Sequence, residues 1–322
     1  MKALVTGGAG FIGSHVTERL LREGYEVRIL DNFSTGRREN LLELGGEVDL
    51  VEGDIQSYER AHTAVKGCDI VVHQAALPSV PRSIQDPLTS NASNVIGTLN
   101  VLLAARDSDV GRVIYASSSS VYGADETLPK SEDLPVAPIS PYAVAKLAGE
   151  GYCRSFWRVY GLETVALRYF NVFGPRQDPL SQYAAVIPSF IDAFLADRVP
   201  TVYGDGSQTR DFTYVGNIVD GTMLALRAEA VAGKLFNIAC GEEVSVNRLI
   251  EELRAITSKE IEPLYAPARV GEVTHSHADV SRAARELGYR PTTSLEEGLR
   301  LTVAWSRERT DASTTRRSTW TS

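Results

Sequence analysis

Cysteine is scarce: Cys68, Cys153 and Cys240 are the only three in 322 residues, and they form neither a CxxC pair nor a disulfide framework. That usage fits a reducing compartment and marks them as core residues rather than nucleophiles. No apolar run is long enough to span a bilayer, since the longest are strand-sized. A charged-then-apolar leader is missing as well, because Ala3-Leu4-Val5 already reads as a strand. The expectation is a cytoplasmic protein with no membrane partner. Positive charge is in deficit: the net charge of −8 argues against nucleic acid as the main partner. No internal repeat is visible, and no metal site is expected.

What is present suits a soluble globular chain, with 43% hydrophobic and 23% charged residues and enough length for one large domain or two smaller ones. The first half alternates short apolar runs with amphipathic stretches. Leu4-Val5 leads into a glycine-rich turn, followed by a helix from Ile12 to about Glu23 that Gly24 stops. Val27–Leu30, Val48–Val51, Ile70–His73, Arg112–Ala116 and Thr164–Leu167 read as further strands. Helical patterns lie between most of them. The fold class expected is therefore α/β: a doubly wound parallel sheet with a smaller C-terminal α/β part. From about Asn171 proline and glycine increase and the alternation loosens. Arg307–Ser322, rich in Thr, Ser and Arg, lacks periodicity and reads as a frayed tail, with Trp320 as a possible anchor.

Gly7-Gly8-Ala9-Gly10-Phe11-Ile12-Gly13 lies between a strand and a helix. Glycine is required there for a tight turn, for close approach of backbone to a pyrophosphate, and for packing of helix on strand. The helix N-terminus then offers free N–H groups to phosphate. Asp31 closes the second strand, where a carboxylate accepts from both ribose hydroxyls of an adenosine and repels a 2′-phosphate. The cofactor expected is NAD rather than NADP. Arg37 and Arg38 follow closely and complicate that choice, unless they belong to a solvated loop. The expected parts are an NAD-binding one over 1–170, rejoined at about 208–236; a substrate-binding one over 171–305; and a flexible tail over 306–322.

Tyr142 and Lys146 form a Tyr-x-x-x-Lys pair on one helix face. A free tyrosine has a pKa of about 10. A neighbouring ammonium and a positive nicotinamide ring both favour its phenolate, making a general base near neutral pH. Alone, the pair would be an ordinary surface contact. Ser118, in Ser117-Ser118-Ser119-Ser120-Val121-Tyr122-Gly123 just after a strand, changes those odds.

These motifs together resemble the extended short-chain dehydrogenase/reductases, and most of all the UDP-hexose 4-epimerases, over nearly the whole chain to about Trp305. The resemblance implies further roles. In the NAD site it places Gly7, Gly10, Phe11, Ile12, Gly13, Asp31, Asn32, Ser34, Gly36, Asp54, Ile55, Ala75, Ala76, Tyr142, Lys146 and Phe170. Asp54-Ile55 would hold adenine, Ala75-Ala76-Leu77 would lie against the cofactor, and Asn94 with Gly97-Thr98 would flank the active site. Ser118, Tyr142 and Lys146 would be catalytic, with the serine's register open among Ser117–Ser120. Asn171, Ala185, Val186, Tyr203, Arg210, Arg269, Glu272 and Ser276 would bind a UDP-sugar, the two arginines clamping its diphosphate.

Ser119-Ser120 stands where related 4,6-dehydratases carry an Asp-Glu pair and related decarboxylases a glutamate at the Ser120 position; serine's pKa is far too high for either task. Asp178, after Arg176-Gln177, would repel a uronate. The implied activity is C4 epimerisation of UDP-glucose/UDP-galactose, with UDP-N-acetylhexosamines admitted because Ser276 stands where stricter relatives carry tyrosine. Alternatives are a UDP-uronate 4-epimerase or related oxidoreductase, and a non-catalytic NAD-binding regulator. A homodimer is expected, with Leu99, Val101, Leu102 and Leu103 giving one helix apolar surface.

Overall fold

The computed structural model describes residues 1–179, 185–268 and 274–318, with side chains as far as residue 309. Strands β1 (Lys2–Thr6), β2 (Glu26–Asp31), β3 (Asp49–Glu52), β4 (Ile70–His73), β5 (Arg112–Ser118) and β6 (Glu163–Tyr169) form one parallel sheet with a seventh strand, Leu235–Ile238. From one edge the order is Leu235–Ile238, β6, β5, β4, β1, β2, β3. The chain therefore winds outward from β1 to β3 and then restarts on the other side of β1 with β4. Ligands of such sheets bind outside the carboxyl ends of the strands at that reversal.

Alternation along the strands builds two core layers. Ala3, Val5, Ile29, Val72 and Ile114 face helix α1 (Phe11–Arg22) and helix Val215–Arg227. Leu4, Leu30, Val71 and Val113 face helices Tyr58–Val65, Gly97–Asp107 and Pro141–Tyr160. With helices on both faces, the strands are nearly continuous apolar runs, as in the fully buried Ile70-Val71-Val72-His73. A further core gathers Phe190, Phe194, Leu249, Leu253 and Leu299 from three later helices, beside a parallel pair of short strands, Thr201–Tyr203 and Leu264–Ala266. The doubly wound sheet expected from the sequence is the fold observed.

Two elements differ from expectation. Helix Leu295–Ser318 runs well past 306, where a tail was expected to begin; 306–318 contains no glycine or proline to stop it, and 319–322 lie outside the described residues. A π-helical turn, Ala92–Ile96, carries Asn94 into helix Gly97–Asp107. Among the described residues no helix is long and apolar enough to cross a membrane.

The helix carrying Tyr142 and Lys146 is well defined at both ends. Ser140 accepts from the Ala143 N–H at 3.2 Å, Pro141 follows at the first turn, and Gly161 ends the helix at φ 74°. Glycine also sets its distance from the sheet: a Cβ at Gly149 would lie 2.2 Å from the hydroxyl of the buried Tyr115 on β5. Gly149→Ala is expected to destabilise the fold by about 1–3 kcal/mol, the usual cost of overpacking. The check is a lower urea midpoint with unchanged slope; an unmoved midpoint would show that Tyr115 has room to yield.

Candidate active site

The carboxyl ends of β1 to β4 form a cradle. At the end of β1, Gly7 takes φ 69°, and a Cβ there would press to 2.8 Å on the Ala75 backbone. A Cβ on Gly13 would lie 2.0 Å from the Gly7 carbonyl oxygen, so only glycine lets α1 begin this close to the turn. Gly10 is the N-cap of α1, and no side chain caps the Phe11-Ile12-Gly13 turn. That turn is left open to an anion.

Asp31, nearly buried at the end of β2, accepts from the Ala9 N–H at 2.9 Å and the Phe33 N–H at 2.8 Å. Gly36 keeps the space before it clear, because a Cβ there would fall 2.9 Å from both carboxylate oxygens. Burial raises its pKa while the two N–H donors oppose the rise. Asn32 donates to Asp54 at 2.7 Å and accepts from the Ser34 N–H at 3.0 Å, joining the loops after β2 and β3. Ile55 packs where a Cβ on Gly97 would intrude to 2.5 Å. Asn94 clamps both the N–H and the carbonyl of Leu77, at 2.8 and 3.0 Å, and so fixes Ala75-Ala76 beside Gly7.

Beneath the cradle, Thr98 donates to the Asn94 carbonyl at 2.7 Å. Its oxygen therefore accepts from His73 Nε2 at 3.0 Å, and His73 Nδ1 accepts from the Thr6 hydroxyl at 2.6 Å. Burial, with the nearby Lys146 charge, pushes His73 down to about 3, so it is a neutral structural link.

Both arginines after Asp31 are engaged. Arg38 pairs with Glu52 and lies over the Phe33 ring, and Arg37 pairs with Asp178 at 2.6 Å. The same loop holds Arg176, at φ 67°, paired with Glu18 at 2.9 Å and Glu43 at 3.0 Å. The Arg37 guanidinium thus compensates the Asp178 charge from which the exclusion of uronates was drawn.

At the end of β5 the serines separate. Ser117 donates to Glu150 at 2.5 Å in the interior. Ser118 accepts from the Ser120 N–H at 3.2 Å, and its hydroxyl stands by Tyr142, where it favours the phenolate. Ser118 is therefore the serine that meets Tyr142. Lys146 lies behind the pair, its Nζ 5.9 Å from the Tyr142 ring centroid and donating to the Ala116 carbonyl at 2.7 Å. Burial pushes Tyr142 up to about 12, against the pull of the Ser118 hydrogen bond, and pushes Lys146 down to about 8. At Tyr142 desolvation outweighs the neighbouring ammonium, and the phenolate draws on a further positive charge such as the nicotinamide ring expected from the sequence.

Toward the second half, Phe170 departs from its expected place. It is fully buried among Val121, Tyr122, Ala239 and Ala278, and presents no surface to the cleft. Asn171, at φ 31°, donates to the Asp211 carbonyl at 3.3 Å. Ala185 begins helix Val186–Leu195, and Tyr203 is half-exposed at the end of its strand. Arg210 reaches the Thr274 carbonyl at 3.2 Å, and the Ser276 N–H reaches the Thr209 carbonyl at 3.2 Å, which brings Arg210 and Ser276 together. The His277 ring turns to the Gly241 carbonyl at 3.1 Å and leaves the space beside Ser276 free of it. Arg269 and Glu272 lie outside the described residues.

Three residues went unnoticed in the sequence. Asp211, fully buried, accepts from the N–H groups of Cys240, Gly241 and Ala278 at 3.0, 3.0 and 3.1 Å, and burial still pushes it up to about 6. Glu150 and Arg168 form a buried bidentate pair at 2.8 and 2.7 Å. Only the spacing of Glu150, four positions past Lys146, gave a signal.

Residues 3–239 match the model of the NAD dependent epimerase/dehydratase family. The UDP-glucose 4-epimerase of Mycolicibacterium smegmatis is 39% identical over 96% of this chain and 99% of its own length. The crystal structure of the Thermotoga maritima UDP-glucose 4-epimerase with UDP-glucose superposes with a TM-score of 0.91 at 38% identity, covering 96% of this chain and 99% of that one. The UDP-N-acetylglucosamine 4-epimerase of Methanobrevibacter ruminantium, in complex with UDP-N-acetylmuramic acid, also gives 0.91, at 40% identity over 96% of this chain and 98% of that one.

Asp31→Ala is expected to weaken NAD binding about 10-fold or more, the scale of a lost charge-assisted hydrogen bond, and to relax the bias against NADP. Calorimetric titration of both cofactors checks it; a wild type that prefers NADP would overturn the assignment of Asp31.

Proposed function

The chain belongs to the NAD-dependent epimerase/dehydratase family, and on that premise we propose that it is a UDP-hexose 4-epimerase. One observation carries the proposal: the Ser118 hydroxyl meets the Tyr142 hydroxyl at the strand-end cradle, with Lys146 behind and serines rather than carboxylates at positions 119 and 120. A serine–tyrosine pair serves proton exchange at one sugar hydroxyl, and no acid–base pair for elimination stands next to it.

The cradle fits NAD. Gly7, Gly10 and Gly13 leave room for a pyrophosphate at α1, Asp31 offers its carboxylate to a ribose, and Ala75-Ala76 are fixed alongside. NAD held in this cradle would supply what the side chains lack, a reversible hydride acceptor for C4, so that a 4-keto state could form without net oxidation. Ser118 orients the 4-hydroxyl. Tyr142 takes its proton and later gives it back, and Lys146 stabilises the phenolate. Arg210, with Arg269, holds the diphosphate while the keto sugar turns over, and Asn171, Ala185, Val186, Tyr203 and Glu272 hold the rest of the UDP-sugar. Asp178 engaged by Arg37 keeps a UDP-uronate 4-epimerase as the second reading.

We expect Tyr142→Phe to lower turnover by about 10²–10⁴-fold, the usual cost of losing a general base, with NAD and UDP-sugar binding nearly unchanged. Interconversion of UDP-glucose and UDP-galactose by the purified protein, followed without added reductant, checks this; wild-type turnover in the variant would sink the assignment.

The substrate range follows from Ser276, which is half-buried beside Arg210. A serine leaves space for an N-acetyl group that a tyrosine ring would fill. The enzyme should accept UDP-N-acetylglucosamine, and Ser276→Tyr should lose that substrate while keeping UDP-glucose. Comparing kcat/KM for both sugars in both proteins decides it; equal losses on both would refute the gate.

The chain is further expected to form a homodimer through helices Gly97–Asp107 and Pro141–Tyr160. Val101 and Leu102 are fully buried in the subunit's own core, so the exposed Val144 and Val159, at 53% and 66%, are what a partner would cover. Sedimentation showing a monomer at micromolar concentration would contradict it.

A further inference from the structure

Tyr142, Lys146 and Glu150 recur at intervals of four on helix Pro141–Tyr160, so one face carries all three, Tyr142 half-buried and Lys146 and Glu150 buried. Glu150 is not a spare acid. One of its oxygens accepts from Ser117 at 2.5 Å and from Arg168 Nε at 2.8 Å, and the other accepts from Arg168 Nη2 at 2.7 Å. Ser117 sits between Ala116, whose carbonyl holds Lys146, and Ser118, which meets Tyr142. Arg168 extends the connection outward: its guanidinium lies 4.5 Å from the centroid of Tyr122, whose hydroxyl donates to Asn237 at 2.7 Å. Asn237 in turn donates to the carbonyls of Lys130 and Asp279, close to the segment that carries Ser276. Such a pair is costly to bury and costlier to break.

We propose that Glu150 is a positioning residue for the acid–base site: its carboxylate, held by Arg168, seats the Ala116–Ser118 strand end that carries both the carbonyl partner of Lys146 and the serine beside Tyr142. The kinetic part of this proposal rests on the epimerase reading. Lys146 is desolvated, and the charged or titratable groups facing it are Tyr142, Glu150 and Cys153 on its own helix, Tyr115 on β5 and His73 on β4. His73 is neutral, and burial holds Tyr115 and Cys153 in their protonated forms. Burial lowers Lys146, while the neighbouring Cys153 and Glu150 oppose it; with the Cys153 thiol kept protonated by its own burial, the Glu150 carboxylate is the counter-charge that persists.

The test is Glu150→Gln, with Glu150→Asp as the conservative rescue, in NAD-loaded protein. The Lys146 titration is followed by NMR of ¹³Cε-labelled lysine, assigned with Lys146→Arg. Loss of a nearby opposite charge should move the titration down by about one pH unit or more, and the aspartate should restore it. In parallel, kcat should fall by about 10²-fold at unchanged KM, with the alkaline limb of its pH profile moving down in step. Should the glutamine variant fail to fold around an unpaired Arg168, Glu150→Gln with Arg168→Met removes both charges, and a smaller shift in the same direction is expected. A Lys146 titration that coincides with wild type in the variant that folds would overturn the proposal. A wild type that interconverts no UDP-hexose would instead refute the epimerase reading, and the NMR titration would still decide the role of Glu150.

Discussion

Desolvation of Tyr142 and Lys146 is the constraint on which the site depends. Packing helix Pro141–Tyr160 onto β5 buries Lys146 and half-buries Tyr142, and the loss of water raises the tyrosine to about 12 and lowers the lysine to about 8. The two shifts oppose catalysis at neutral pH, since the first withholds the phenolate and the second threatens the ammonium. The chain answers with dipoles and one anion: the Ser118 hydroxyl on Tyr142, the Ala116 carbonyl on Lys146, and Glu150 beyond. On the epimerase reading, the remaining positive charge would come from an oxidised cofactor held in the cradle.

The sheet makes this arrangement possible. Because the chain reverses between β1 and β4, the ends of β1 to β4 cradle one ligand and the ends of β5 and β6 border it. Glycine fixes the closest approaches, at Gly7 and Gly13 in the turn and at Gly149 beneath the helix. Long-range ion pairs then draw the second half of the chain in. Arg37 with Asp178, and Arg176 with Glu18 and Glu43, bring the loop after β6 against α1 and the loop after β2. Asp211 gathers the N–H groups of Cys240, Gly241 and Ala278 around one buried carboxylate.

Much of this was legible in the sequence, because the determining patterns are local. The glycine turn, Asp31 at a strand end, the apolar strands and the Tyr-x-x-x-Lys pair each need fewer than about a dozen residues to recognise. The serine register was not legible. Neighbouring strand residues face opposite ways, so a one-residue slip exchanges Ser118 for the buried Ser117, and the sequence does not mark where β5 ends. The partners of Asp178 and Glu150 were illegible for a different reason. Arg37 and Asp178 meet only because the fold returns the chain to its beginning, and Arg168 and Glu150 meet only across the packing of β6 with helix Pro141–Tyr160. Phe170 shows the same effect: an aromatic within a ligand-binding motif proved to be core.

The measurement that bears most directly on the central claim follows the hydrogen on C4. Purified protein, with only the cofactor it retains, is given UDP-glucose deuterated at C4 in ordinary water, and the UDP-galactose formed is examined by NMR. A hydride passed within one closed site and returned to the same carbon leaves the deuterium on C4 of the product. Product that has lost the label to solvent, or no product with cofactor bound, would contradict epimerisation through a transient 4-keto sugar at Ser118, Tyr142 and Lys146.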